Sequence, residues 1–192
     1  MPALFPKSSK AKESKVKRNK RIAVLGSGTA GSGSLLYAQA LQLGRDLAQA
    51  GFSLCHGGYG GVMEAVAKGC RSAGGKNTGI IIKKSGSRAK VNSWADAEIA
   101  MPSWKDRLLK LIDMGDAYVF LDGATGTLNE LFFVWEMANK KLMDKPIILL
   151  GKRLRSLVKF LKKDPSLRIP SNFYLASTTP QVIKRLSVDC GL

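Results

Sequence analysis

Short apolar, β-branched runs alternate along this chain with longer segments whose apolar residues recur at helical spacing, and no other feature restricts the possible folds so tightly. The runs fall at 21–25 (RIAVL), 52–56 (FSLCH), 78–82 (TGIII), 97–101 (AEIAM), 117–121 (AYVFL) and 146–150 (PIILL). Helical spacing marks Leu35–Ala50, Val62–Ser72, Trp104–Met114, Thr127–Lys140 and Leu154–Leu161, and Pro180 opens the first turn of a last helix. Strands separated by helices pair in parallel through crossovers. The pattern therefore predicts an α/β fold with a mostly parallel sheet and helices on both faces. Residues 83–96 (KKSGSRAKVNSWAD) have no apolar period and read as a surface loop bordering a ligand.

A length of 192 residues suits one well-buried domain. Its expected bounds are 21–192, because residues 1–20 are rich in lysine and serine, have little to bury, and read as a flexible basic tail. The net charge of +17 resembles a nucleic-acid signature until it is mapped. Residues 7–21 carry eight Lys/Arg against Glu13, and residues 140–168 carry ten against Asp144 and Asp164. Residues 22–139, which hold the motifs, balance eleven basic against ten acidic side chains. The charge thus reads as a tail and a solvated helix face, with weak polyanion contact through the tail as its functional counterpart. A nucleic-acid-associated protein is the third and weakest reading, since no aromatic recognition module accompanies the basic runs. No apolar run approaches the ~20 residues that span a bilayer, and the basic N-terminus lacks the apolar segment of a secretory signal. Cys55, Cys70 and Cys190 lie far apart with a single histidine, His56, in the chain, so no metal site is expected. Reduced thiols and a cytoplasmic location are expected.

Three glycine-rich turns follow the first, second and fifth runs. In the first, Gly26, Ser27, Gly28 and Gly31 give G-x-G-x-x-G spacing, which lets backbone amides approach a phosphate. A dinucleotide reader would carry Asp or Glu at the end of the second strand to hold ribose hydroxyls; this strand ends Cys55-His56-Gly57, which disfavours a nicotinamide dehydrogenase. The second turn places Gly57, Gly58, Gly60 and Gly61 within five residues, a sign of backbone pressed against a ligand or another backbone. Glu64 in the following helical turn either complements the helix dipole or contacts a sugar. His56 reads as a structural histidine. The third turn, FLDGATGTLNE (120–130), contains a T-x-x-E capping box in which the Thr127 hydroxyl would accept from the Glu130 N–H and the Glu130 carboxylate would accept from the Thr127 N–H. A cap and a catalytic carboxylate are both compatible with Glu130 at this point.

Taken in order, Gly26-Ser27, GGYGGVMEAVAKG, Arg107 in WKDRLLKLIDMGDAYVFL and DGATGTLNE resemble the LOG family, the cytokinin-activating phosphoribohydrolases, and related bacterial nucleotide 5′-monophosphate nucleosidases. The similarity covers roughly residues 21 to 151. It implies a Rossmann-like three-layer sandwich, a homodimer, and metal- and cofactor-free cleavage of a purine or cytokinin nucleoside 5′-monophosphate to base and ribose 5-phosphate. By the resemblance Arg107 and Glu130 are the catalytic pair, and Gly123, Thr125, Gly126 and Thr127 shape the phosphate site with the glycines of the earlier turns. The chemistry suits these residue types. Departure of the base builds positive charge on the ribose, which a carboxylate stabilises, while helix N-terminal amides and a guanidinium hold phosphate.

Asp122 and Ala124 stand where the family's P-G-G-x-G-T-x-x-E signature has proline and glycine. A carboxylate about 4 Å from a bound phosphate would cost on the order of 4 kcal/mol at an effective dielectric near 20. Asp122 is therefore expected to point away if the ligand is a simple phosphate. Ala124 adds a methyl where backbone would approach the ligand, and a positive φ there would cost roughly 1 kcal/mol more. The alternative function is a non-catalytic carrier of a nucleotide or molybdenum-cofactor-type ligand on the same fold.

Overall fold

The computed structural model describes residues 19–83 and 91–190. The expected basic tail lies almost wholly outside these residues, as do residues 84–90 of the 83–96 loop. Strands β1 (Arg21–Leu25), β2 (Ser53–His56), β3 (Asn77–Ile82), β4 (Ala97–Met101), β5 (Ala117–Phe120), β6 (Ile147–Leu149) and β7 (Phe173–Leu175) form one sheet in the order β4-β3-β2-β1-β5-β6-β7. Every pairing among the described strands is parallel, so "mostly parallel" becomes wholly parallel. β7, only three residues long, has no counterpart among the apolar runs of the sequence.

Period-two alternation assigns the two faces. On β1, Ile22 and Val24 enter the core with helices α1 (Leu35–Gln49), α2 (Val62–Ser72) and α6 (Thr179–Cys190). Ala23 and Leu25 enter the opposite core with α3 (Trp104–Met114), α4 (Thr125–Asn139) and α5 (Lys152–Leu161). β5 divides likewise, Val119 to one side and Tyr118 and Phe120 to the other. Being coated on both faces explains why the central strands read as unbroken apolar runs. α1 and α2 approach until backbone meets backbone: a Cβ on Gly69 would lie 2.0 Å from Leu41 O, and one on Gly44 2.2 Å from Val66 O.

The chain reverses its direction of travel across the sheet between β1 and β5, and there the loops that follow the two strands diverge to opposite faces. That switch point, at the strands' carboxyl ends, is where doubly wound sheets open a crevice for ligands. All three cysteines are buried as free thiols, and no helix of the described residues is long and apolar enough to cross a membrane.

Candidate active site

Ser27 knits the three glycine turns into one rim. Its N–H donates to Asp122 O (3.0 Å) in the third turn, and its carbonyl accepts from Val62 N (2.8 Å) at the start of α2. Neither turn leaves space for larger residues. A Cβ on Gly61 would fall 2.3 Å from Ser27 O, and one on Gly123 2.1 Å from Thr127 Oγ1 and 3.0 Å from Ser27 N. Beneath this rim is a cleft of about 310 Å³, lined by Gly26, Ser27, Gly57, Arg107, Gly126, Thr127 and Glu130, together with Tyr59, Met63, Ile82 and Trp104. Larger grooves lie elsewhere, one of about 550 Å³ between Phe132, Trp135 and Leu167 on the outer side of α4. The smaller cleft is the one that gathers the charged pair.

Arg107 comes from the inner face of α3, whose start is fixed by Ser103: its hydroxyl oxygen accepts from Asp106 N (3.1 Å). The guanidinium is buried, with Nε donating to Ile80 O (2.7 Å) and Nη2 to Gly57 O (2.8 Å), and it packs against the Tyr59 ring. Burial disfavours its charge, while Glu130 and Tyr59 support it. Gly57 is required by this arginine, since a Cβ there would lie 2.0 Å from Nη2.

Helix α4 starts two residues before the expected capping box. Ala124 is its N-cap (φ −93°) and makes no side-chain cap hydrogen bond, and Thr127 is already inside the first turn. The T-x-x-E reading as a cap is thus overturned. Thr127 and Glu130, three residues apart on one face, both turn into the cleft, while Leu131, Val134 and Trp135 enter the core. Burial raises the Glu130 carboxyl from its ordinary range to about 7, opposed by the charge of Arg107. With no side chain capping it, the exposed α4 N-terminus (Ala124, Thr125, Gly126) presents its first amides at the cleft mouth.

Both departures from the family signature have structural accounts. Asp122 turns away from the cleft, its Oδ1 accepting from Leu154 N (3.0 Å) and its Oδ2 from Arg153 N (3.1 Å), so that it caps α5. Ala124 has an ordinary negative φ and is unstrained.

Six of the residues assigned to ligand binding from sequence do not line the cleft: Gly58, Gly60, Gly61, Glu64, Gly123 and Thr125. Gly58 (φ +76°) packs on Ile81 and Gly79, and Gly61 (φ +66°) on Ser27, so the second turn's glycines serve backbone packing more than ligand approach. Glu64 accepts from Tyr37 OH (3.1 Å) on α1. His56 is fully buried and held neutral, its pKa lowered to about 4 by burial. Gly58 N donates to its Nδ1 (3.1 Å) and its Nε2 faces Asn77 Oδ1 (2.9 Å), which fixes the Nε2–H tautomer and braces the Gly57-Gly58 turn that Arg107 grips. Tyr59, Met63, Ile82 and Trp104 were not legible as site residues, because no local pattern distinguishes them from core or surface. Among the described residues no group of three or more His, Cys, Asp or Glu side chains is placed to hold a metal.

A crevice at the switch point of a doubly wound sheet, with an uncapped helix N-terminus at its mouth and Arg107 and Glu130 within, places this chain among Rossmann-like α/β proteins. The profile of the SLOG cluster4 family matches residues 19–176, and the chain belongs to that family; the LOG resemblance read from its motifs holds. It is 31% identical over 135 residues to an uncharacterized protein of Archaeoglobus fulgidus, covering 70% of this chain and 86% of that one. It is 34% identical over 111 residues to a cytokinin riboside 5′-monophosphate phosphoribohydrolase of Mycobacterium tuberculosis, a match that takes in 57% of this chain and 59% of the mycobacterial protein. Among solved structures it is similar to the molybdenum cofactor binding protein of Rippkaea orientalis, with 26% identity, a TM-score of 0.73, and 91% and 99% of the two chains covered.

Proposed function

We propose that the protein hydrolyses the N-glycosidic bond of a nucleoside 5′-monophosphate, with AMP, GMP and cytokinin nucleotides as the candidate substrates, and releases free base and ribose 5-phosphate. The observation that carries this reading is the position of Glu130: its carboxyl faces the cleft beside Arg107 and is not consumed by a helix cap. In the reaction the bond between C1′ and the base nitrogen breaks and its electron pair leaves with the base. Positive charge grows on the ribose, and the Glu130 carboxylate stabilises it. Water then bonds to C1′, its proton passing to Glu130 and on to the departing base. Arg107 acts chiefly on Glu130. Its charge opposes the effect of burial and keeps a useful fraction of the carboxylate ionised near neutral pH. The 5′-phosphate accepts from the amides of Thr125, Gly126 and Thr127 at the start of α4. The similarity to phosphoribohydrolases supports the same reading.

A second reading, a carrier of a nucleotide or molybdenum-cofactor-type ligand, is favoured by the likeness to the Rippkaea orientalis protein over nearly the whole of both chains. One assay separates them: incubation with AMP, GMP, CMP, UMP and a cytokinin nucleotide, with chromatography for free base. Base release supports the hydrolase. Calorimetric binding without release from any of the five supports the carrier. In either reading we infer a cytoplasmic homodimer; the buried free thiols and the exposed apolar Phe132, Leu109 and Leu142 support it.

A further inference from the structure

A 5′-phosphate is well matched by a guanidinium beside helix N-terminal amides, and the family resemblance made Arg107, the one arginine it named, a catalytic residue. The geometry gives Arg107 different work. Its Nε and Nη2 are directed to Ile80 O and Gly57 O, and its charge faces Glu130 inside the cleft. A different arginine lies at the phosphate end. Arg153, exposed in the first turn of α5, reaches back with Nη2 to Gly123 O (3.4 Å), the residue immediately before the N-cap of α4.

We propose that Arg153 is a phosphate-binding residue of this site, delivered to it by Asp122, and that it selects phosphorylated ligands over the corresponding nucleosides. The proposal rests on the nucleotide reading of the cleft. The placement follows from a chain of contacts. Asp122 replaces the signature proline and accepts from the N–H groups of Arg153 and Leu154, which docks the start of α5 onto the third turn. The docking is tight: a Cβ on Gly151, the α5 N-cap, would fall 2.4 Å from Asp122 Oδ1. Both carboxylate oxygens of Asp122 thus take backbone amides, while the Arg153 guanidinium donates to Gly123 O. That group makes one long hydrogen bond to a neutral carbonyl, an interaction weaker than the paired, charge-assisted bonds a phosphate offers. The contact with Gly123 O puts this side chain beside the start of α4, whose amides no side chain caps, and a guanidinium matches two phosphate oxygens at once. The residue that departs from the signature and would have repelled a phosphate becomes, by turning toward α5, the means of supplying a cation to it.

The test compares wild type with Arg153→Gln, Arg153→Lys and Lys159→Gln, the last an exposed cation farther along α5 that reports the general field of a chain with net charge +17. Ribose 5-phosphate and inorganic phosphate are titrated calorimetrically, and AMP and adenosine are compared as substrates. Arg153→Gln is expected to weaken ribose 5-phosphate binding about 10- to 100-fold and to raise KM for AMP more than it lowers kcat. Reactivity toward adenosine should be little changed, Arg153→Lys should recover part of the loss, and Lys159→Gln should have little effect. If wild type binds ribose 5-phosphate without hydrolysing AMP, and Arg153→Gln weakens that binding, the hydrolase reading falls and the assignment of Arg153 stands. If wild type hydrolyses AMP and Arg153→Gln binds ribose 5-phosphate as wild type does, or Lys159→Gln loses as much, the assignment falls alone. Failure of wild type to bind any of the phosphorylated probes overturns the assignment as well.

Discussion

Replacing Glu130 with glutamine should remove activity and stabilise the fold, and the size of the second effect follows from the site. The carboxyl titrates near 4.5 when exposed and near 7 in the folded chain, because burial outweighs the opposing charge of Arg107. The folded state therefore holds the Glu130 proton more tightly, by about 3 kcal/mol. The direction of the linkage follows: this contribution to stability is complete below about pH 4.5, declines as pH rises, and is gone above about pH 7. Glutamine mimics the protonated carboxyl at every pH. Relative to wild type, Glu130→Gln should be nearly neutral at pH 4, more stable by about 1 kcal/mol at pH 5 and by about 3 kcal/mol at pH 8. With a urea slope of ~2 kcal/mol per molar, the unfolding midpoints should separate by about 1.5 M at pH 8 and by much less at pH 5. Denaturation followed by circular dichroism at the two pH values decides the matter. Equal midpoints at both pH values would show that Glu130 is well solvated, and the electrostatic account of the site would be wrong.

Four further outcomes are expected. Turnover of AMP needs the ionised Glu130, so kcat/KM should rise about tenfold per pH unit below about pH 7 and level off above it; a flat profile from pH 5 to 8 would remove Glu130 from the reaction. In Gly57→Ala the new Cβ, 2.0 Å from Arg107 Nη2 and 2.5 Å from Met63 Sδ, forces the anchored guanidinium off its carbonyl partners without meeting backbone, so the chain should still fold at reduced stability while kcat/KM falls about 100-fold. Asp122→Ala strips two amides at the start of α5 of their acceptor, and the expected loss of about 1 kcal/mol should lower the melting temperature by about 2–4 °C. Light scattering on a chromatography column should give about twice the 20.7 kDa chain mass, and a value equal to one chain would refute the dimer.

Much of the architecture was readable before any coordinates, because buried strands and amphipathic helices leave periodic marks. The bounds of Val62–Ser72, Trp104–Met114 and the first strand agree with the sequence reading residue for residue. Arg107 and Glu130 share a cleft as expected from their motifs. Local reasoning failed wherever a distant partner decides the outcome. The T-x-x-E motif looks like a cap, yet the third turn is pinned from outside by the Ser27–Asp122 backbone hydrogen bond, and the helix starts at Thr125. Asp122 finds its partners some thirty residues later, at Arg153 and Leu154. Gly57 answers to an arginine fifty residues on. Tyr59, Met63 and Trp104 line the cleft through tertiary placement alone, and the three-residue β7 is too short to display a period.

The position of Ser27 also bears on how the protein acquires activity. β1 must pair with β2 on one side and with β5 on the other before the Ser27 backbone can meet both Val62 and Asp122. Those partners lie 35 and 95 residues downstream, each beyond a crossover helix, so the cleft has no local precursor along the folding route. A nascent chain halted before residue 122 would have β1 and β2 in place and still lack the carboxylate, the α4 amides and half of the rim. Recovery of ligand binding during refolding should therefore trail the recovery of helical signal, making the cleft a late reporter of sheet completion.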